Sequence, residues 1–325
     1  MSSTGEKTRR YIDITMGEPS GIGPEVAVKA WARLGGRVGK RDLRLIGDAN
    51  VFDEAARVAG VASEGMRGAI VETGQKVQAA AGRPDRKNVA AVTGAIEFAV
   101  KAIGDGESAA IVTAPIHKAV LAEAGFGFPG HTEFLASLAK AKQPVMMLVG
   151  GGLRVVPLTI HLPLSEIFRH ITKDSIVAKA EIVLDALKRD FGCERPRLAV
   201  AGLNPHAGEE GKMGREEGEI IAPAIAALRA RGHSVTGPLP SDTMFHEQAR
   251  AAYDAALCMY HDQALIPIKT LAFWSAVNVT LGLPIVRTSP DHGTALNIAG
   301  QGKANPESMI AAIKMAADIA DRRGL

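Results

Sequence analysis

Cysteine is almost absent from this chain. Cys193 and Cys258 are the only two in 325 residues and form no CxxC pair, which excludes a disulfide framework and a cysteine-based zinc site and fits a reducing compartment. Charge of one sign is not concentrated anywhere either. Lys plus Arg total 38 against 35 Asp plus Glu, a formal net charge of +3, and no Lys/Arg block is long enough to track a phosphate backbone. Nucleic acid is therefore not an expected partner. No stretch approaches the ~18 apolar residues of a membrane span. The opening segment MSSTGEKTRR is polar with no apolar run behind it, so a cytoplasmic protein without membrane contact is expected. A GxGxxG turn is also missing after the first strand-like run. The glycines there are Gly17, Gly21 and Gly23, with the wrong spacing, which disfavours a standard Rossmann enzyme. Aromatic residues make up only 4%, and no internal repeat or Pro/Ser-rich linker interrupts the chain.

What is present is apolar and glycine-rich. With 46% apolar residues, the length suits roughly two domains of about 150 residues, each with its own core. Glycine, at 35 of 325 residues, exceeds the typical ~7% and suggests loops where backbone approaches something closely, a pattern that suits an enzyme. Strand-like runs occur at Tyr11–Thr15, Leu43–Gly47, Ala109–Pro115, Pro144–Gly150, Leu153–Ile160, Arg197–Pro205, Ala255–Tyr260 and Ala276–Pro284. Helical patterns alternate with them, opening near Pro24 and Asn50 and recurring through Val92, Ile96, Ala99 and Ile103. A last one begins at Asn305, with Arg322 and Arg323 in its final turn. The alternation predicts α/β layers around a largely parallel sheet.

Three histidines share one placement. His161, His206 and His261 each follow a strand-like run at its carboxyl end, where open α/β sheets bind ligands. Singly, each reads equally as a hydrogen-bonded structural histidine. Together, three neutral imidazoles suit a divalent ion with an open position for a substrate oxygen, although their separations match no short metal signature. In FGFPGHTEFLASLAKA, Gly130, His131 and Thr132 precede a helical pattern; Thr132 fits an N-cap, and the same helix end would attract an anion. Lys269, Asn278 and Arg287 punctuate apolar, strand-like sequence. They read either as solvent-exposed groups or as two cations and an amide facing a carboxylate or phosphate. DHGTALNIAGQGKANP, from Asp291 to Pro306, is a loop of small residues able to lie against a flat ligand, a weak nucleotide signal alone.

The ordered blocks TMGEPSGIGPE, PGHTEFLA, HLPLSE, GLNPHAGEEGKMGREE, GPLPSDTMF, MYHDQALIPIK, VNVTLGLPIVRTSPDHGTAL and AGQGKANP run from Thr15 to Pro306. Together they resemble the 4-hydroxythreonine-4-phosphate dehydrogenase family of vitamin B6 synthesis. The segment HGTALNIAGQGKANP is also similar to the cofactor loop of isocitrate and isopropylmalate dehydrogenases, whose non-Rossmann fold accounts for the missing GxGxxG. The resemblance implies two α/β/α domains, residues 1–135 plus 275–325 for cofactor and phosphate and 136–274 for metal and dimerisation. It further implies a homodimer whose active site lies in the interdomain cleft and is shared across the subunit interface.

By the same resemblance, His161, His206 and His261 hold a divalent metal (zinc, magnesium or cobalt). His131 and Thr132 bind substrate phosphate, Lys269, Asn278 and Arg287 contact substrate, and Asp242 is a further polar group of the site. Lys269 or a water takes the hydroxyl proton. His292, Gly293, Thr294, Asn297 and Asn305 bind NAD or NADP. The implied reaction oxidises 4-phosphohydroxy-L-threonine at C3 to a 3-keto acid, which loses CO₂ to give 3-amino-2-oxopropyl phosphate. Asn297 departs from the acidic residue usual in the family, and Ala276 stands where many members have Gly. A sibling branch oxidises 4-phospho-D-threonate and 4-phospho-D-erythronate, and GEPSGIGPE, in place of a GDP variant, favours the vitamin B6 enzyme. A metal-dependent hydrolase or lyase of phosphate esters, or a phospho-ligand sensor, would share the histidines and anion site but have no use for the DHGTAL loop.

Overall fold

The computed structural model describes residues 10–128 and 130–325; most of the MSSTGEKTRR segment, and Pro129 of the PGHT block, lie outside the described residues. The chain divides into two compact units. The first runs through Pro144 and resumes at Leu283–Leu325, and the second is Val145–Gly282.

The first unit contains β1 (Tyr11–Thr15), β2 (Arg37–Val38), β3 (Arg41–Ile46), β4 (Ile70–Val71) and β5 (Ser108–Thr113). The second contains β6 (Val145–Gly150), β7 (Leu153–Pro157), β8 (Arg197–Ala201), β9 (Ser234–Leu239), β10 (Ala255–Cys258) and β11 (Val277–Leu281). The chain then re-enters the first unit as β12 (Val286–Pro290).

In the first unit the order is β2-β3-β1-β5-β12, with β4 also on β3. β1, β3, β4, β5 and β12 run parallel, and only the β2–β3 pair is antiparallel. Every residue of β5 and β12 is buried, as expected of a parallel strand covered on both faces. The helices Val89–Gly104 and Glu307–Arg322 supply the cover for β5. The first buries Val92, Ile96, Ala99 and Ile103, the stripe read from sequence. Ile96, Ala99 and Ile103 join Ile111, Phe134 and Leu135 in one core cluster. Below this core, buried Asp13 accepts hydrogen bonds from Arg44 Nε at 2.7 Å and Ser108 Oγ at 2.7 Å, tying β1, β3 and β5 together. Arg44 also stacks its guanidinium 4.2 Å above the Tyr11 ring.

In the second unit the order is β11-β6-β7-β10-β8-β9. β7, β10, β8 and β9 are parallel, whereas β6 pairs antiparallel with both β7 and β11. The expectation of a largely parallel sheet holds with that exception, and its cause is local. Gly151 (φ 55°) and Gly152 (φ 73°) make a two-residue turn between β6 and β7, too short for the crossover that parallel strands require. The helix His261–Ala272 packs on β6, β7 and β10. It buries Ala264, Ile268 and Ala272 against Leu148, Val155 and Cys258.

Candidate active site

The strand order of the second unit brings the three histidines to one end of one sheet. β7, β10 and β8 are consecutive, parallel neighbours, and His161, His261 and His206 follow their carboxyl ends. The ladder between β7 and β10 extends past Pro157, as Leu158 N–H donates to Cys258 O and Thr159 Oγ1 to Met259 O. This fixes the level at which both chains turn away. His161 then takes a left-handed backbone (φ 54°), and His261 opens its helix as the first residue. Their rings lie 6.0 Å apart, centroid to centroid, facing a cavity of about 230 Å³ lined also by Thr159, Leu162, Tyr260 and Asp262. His261 Nδ1 is 2.7 Å from Asp262 Oδ1, the type of contact that orients an imidazole for a ligand at its other nitrogen.

His206 is exposed in a left-handed stretch after β8 and is not among the residues lining that cavity. Among the described residues no cluster of three His, Cys, Asp or Glu side chains is assembled. The donor chemistry suits a borderline divalent cation in kind, with two imidazoles on a shared cavity.

Glu217 is a residue sequence reading missed. It is 5% exposed, and its Oε1 accepts from Leu203 N–H and Asn204 N–H, both at 2.7 Å, while Oε2 accepts from Asn204 Nδ2 at 2.9 Å. Burial pushes its pKa up, but these hydrogen bonds outweigh that effect and hold the carboxyl below its ordinary value. The EE pair of GREEGE carries no spacing signal that would have singled it out.

Elsewhere in the second unit, Asn278 sits on β11 opposite Leu148, its Oδ1 buried without a hydrogen-bond partner. Lys269, near the end of the His261 helix, holds Nζ 5.5 Å from the Phe273 ring centroid. Asp242 is exposed in the turn after β9.

The first unit gathers a cluster of cationic and imidazole side chains. Arg287 on β12 is 3% exposed and donates to Thr113 Oγ1 at the end of β5, from Nε at 3.2 Å and from a terminal nitrogen at 2.7 Å. Burial pulls its pKa down to about 10, against the opposing field of Glu133. His131 is the first residue of the helix His131–Leu138, with Nε2 buried and without a hydrogen-bond partner. Burial first, then the charges of Arg287 and Lys118, hold His131 well below the usual imidazole range, so it is neutral. Gly130, in extended backbone, is the N-cap, and Thr132 lies in the first turn. The N-cap role read for Thr132 is thereby corrected, and its hydroxyl is not committed to capping. Lys118 and Thr113 were missed by sequence reading. Lys118 opens the helix Lys118–Glu123 just beyond β5, and its side chain passes Gly130, where a Cβ would lie 3.4 Å from Lys118 Cε.

The loop after β12 seats against the end of β1. Ile22 N–H donates to Thr294 O at 2.9 Å, and a Cβ on Gly21 would come within 2.8 Å of that oxygen, so backbone replaces side chain there. His292 Nδ1 lies 3.0 Å from Gly293 O, Asn297 O accepts from Gln301 Nε2, and Asn305 Oδ1 accepts from Glu307 N–H. Gly293 itself faces open space.

An α/β fold with a cationic cluster in one unit and an imidazole pair on a cavity in the other belongs to the class of α/β proteins that carry their chemical groups toward the carboxyl ends of the strands. The comparisons narrow it. The family described as pyridoxal phosphate biosynthetic protein PdxA matches residues 40–316. The chain is 51% identical over 335 residues to the 4-hydroxythreonine-4-phosphate dehydrogenase of Maricaulis maris, covering 96% of this chain and 98% of that protein. It superposes on the crystal structure of the Klebsiella pneumoniae 4-hydroxythreonine-4-phosphate dehydrogenase with a TM-score of 0.82 at 37% identity, covering 96% of this chain and 99% of that one. A beta-decarboxylating dehydrogenase of Thermococcus kodakarensis shares the fold alone, at a TM-score of 0.52 and 16% identity, over 97% of this chain and 84% of that one. The chain belongs to the pyridoxal phosphate biosynthetic protein PdxA family, and it is a dehydrogenase of pyridoxal phosphate biosynthesis.

Proposed function

We propose that this enzyme oxidises 4-phosphohydroxy-L-threonine at C3 with NAD or NADP, giving a 3-keto acid that decarboxylates to 3-amino-2-oxopropyl phosphate. The observation that carries the substrate class is the cluster in the first unit: a buried Arg287 beside a half-buried, neutral His131 whose Nε2 is buried without a protein partner. A buried guanidinium beside an imidazole nitrogen without a partner favours an anion, and exposed Lys118 lies close by. A phosphate ester supplies one. Arg287 and Lys118 neutralise its charge, and His131 in its Nε2–H form and the Thr132 hydroxyl donate hydrogen bonds to its oxygens. Asn278 and Lys269 contact the remainder of the substrate, and Lys269 or a water takes the proton from the C3 hydroxyl. Asp242 adds a polar contact.

His161, His206 and His261 would hold a divalent ion (zinc, magnesium or cobalt), which supplies Lewis-acid polarisation of the reacting hydroxyl and carbonyl. The loop with His292, Gly293, Thr294, Asn297 and Asn305 would bind the dinucleotide, which accepts the hydride. The first unit is the cofactor and phosphate domain and the second the metal and dimerisation domain of a cytoplasmic homodimer. Support for the dimer comes from exposed apolar side chains flanking the two paired histidines. Leu164 and Phe168 lie beyond His161, and Ile266, Phe273 and Trp274 lie on or beside the helix that His261 opens, with Leu164, Ile266 and Trp274 all above 60% exposed.

The test is NADH appearance at 340 nm with 4-phosphohydroxy-L-threonine and NAD, on metal-stripped protein and again after adding Zn²⁺, Mg²⁺ or Co²⁺. Metal-dependent turnover is expected. Turnover with 4-phospho-D-erythronate or 4-phospho-D-threonate alone would move the enzyme to the sibling activity, and silence with all three would overturn the substrate assignment.

A further inference from the structure

The segment that carries His206 has an unusual backbone. His206, Ala207, Gly208, Glu209 and Glu210 are consecutive left-handed residues, with φ of 53°, 50°, 79°, 41° and 56°. Only Gly208 occupies that region without steric cost; L-residues with a Cβ visit it singly, not in runs. A strained run of this kind persists where surrounding structure over-determines it.

The structure shows what determines it here. The Glu217 carboxylate reaches under the run and accepts from the backbone N–H groups of Leu203 and Asn204, the residues that lead into it from β8. It also accepts from Asn204 Nδ2, which donates to Glu216 Oε2 at 2.7 Å as well. The packing leaves no slack. A Cβ on Gly208 would lie 2.6 Å from Glu217 Oε2, one on Gly202 would lie 2.9 Å from Ala207 Cα, and one on Gly214 would lie 2.2 Å from Asn204 Nδ2. Ala207 N–H closes the turn onto Asn204 O, and Met213 N–H closes it onto Gly208 O. Glu217 is itself fixed by its place at the start of a π-type turn, Glu217–Ile221, that leads into the helix Ala222–Ala230. Such turns recur at functional sites.

We propose that Glu217 is the positioning residue for His206: it touches no substrate, but its carboxylate holds residues 203–210 in the left-handed turn that sets His206 beyond the end of β8. The inference rests on the reading of His206 as a metal ligand. Without the clamp the run relaxes toward ordinary right-handed or extended backbone, and the imidazole leaves its place. Glutamine at this position has the same size but one acceptor oxygen and no charge, so either the two backbone donors lose their acceptor or Asn204 Nδ2 loses one of its two. Alanine at Gly208 attacks the same clamp from the loop side.

The experiment is Co²⁺ titration of the metal-stripped protein, followed by visible absorption, for the wild type and for His206→Ala, Glu217→Gln and Gly208→Ala, with circular dichroism and melting of each. Glu217→Gln and Gly208→Ala are expected to bind Co²⁺ about 10- to 100-fold more weakly, the loss typical of removing a group that orients a ligand. Their visible bands should change while circular dichroism remains native. If Glu217→Gln does not fold, Gly208→Ala decides. Wild-type Co²⁺ affinity in the folded variants, together with weakened binding in His206→Ala, would overturn the role of Glu217 and leave His206 as a ligand. Wild-type affinity in His206→Ala would instead remove the ligand reading, and the positioning role with it.

Discussion

Replacing Arg287 with methionine separates function from stability in this enzyme. The guanidinium is 3% exposed on a strand whose residues are all buried. Burial lowers its pKa from 12.5 to about 10, which at ~1.4 kcal/mol per pH unit means that folding disfavours the charged form by roughly 3 kcal/mol. Because the folded value lies below the unfolded one, that cost is present in full at every pH below ~10. Methionine removes it and fills similar volume. The loss includes the pair of hydrogen bonds to Thr113 Oγ1, about 1 kcal/mol each, so the relieved burial cost is largely offset. In the absence of ligand its melting temperature should stay within a few degrees of the wild type, at about 2–4 °C per kcal/mol. The phosphate contact moves the other way. Losing a charge-assisted contact worth about 1.5–3 kcal/mol should raise KM for the phosphorylated substrate roughly 10- to 150-fold. The assay is differential scanning calorimetry with and without inorganic phosphate, beside steady-state kinetics. The wild type should be stabilised by phosphate and the variant should not. An undiminished phosphate shift or an unchanged KM in Arg287→Met would refute the argument that the structure bears a buried cation for the sake of an anion.

Four further outcomes are expected. Asp13→Ala leaves the largely buried Arg44 with only its longer carboxylate contact, to Glu107, and should cost up to about 3–5 kcal/mol, read as a fall in the urea midpoint; an unchanged midpoint would show that the pair carries no weight. His161→Ala and His261→Ala should each lose Co²⁺ binding and turnover with native circular dichroism, and retained metal-dependent turnover in both would remove them from the site. His131 has its folded pKa below the unfolded value of ~6.5, so the unfolded chain takes up the proton first. Stability should then fall as pH drops below ~6.5, and His131→Gln should flatten that part of the profile. Phe273→Ser with Trp274→Ser should turn a dimer into monomers in sedimentation velocity; a sedimentation coefficient unchanged from a dimeric wild type would place the interface elsewhere.

Much of this was legible from local sequence. The period of Val92, Ile96, Ala99 and Ile103 specifies a helix face because 3.6 residues complete a turn whatever the rest of the chain does. The runs YIDIT, AAIVTAP and VNVTLGLP specify strands for the same local reason, and the histidines could be placed at strand ends by counting along the chain. What counting cannot supply is which strands are neighbours. The order β7-β10-β8, which sets the three histidine-bearing ends side by side, arises from pairings between residues roughly sixty to a hundred positions apart. The burial of Arg287 beside Thr113, 174 positions away, and the grip of Glu217 on Asn204, 13 positions away, likewise depend on contacts outside any local period, whereas the antiparallel β6 follows from the short Gly151–Gly152 turn. Local spacing determined the elements and the residues able to do chemistry; tertiary packing, which removes water and fixes partners, decided which charges are costly, which imidazole is neutral and which carboxylate is a clamp.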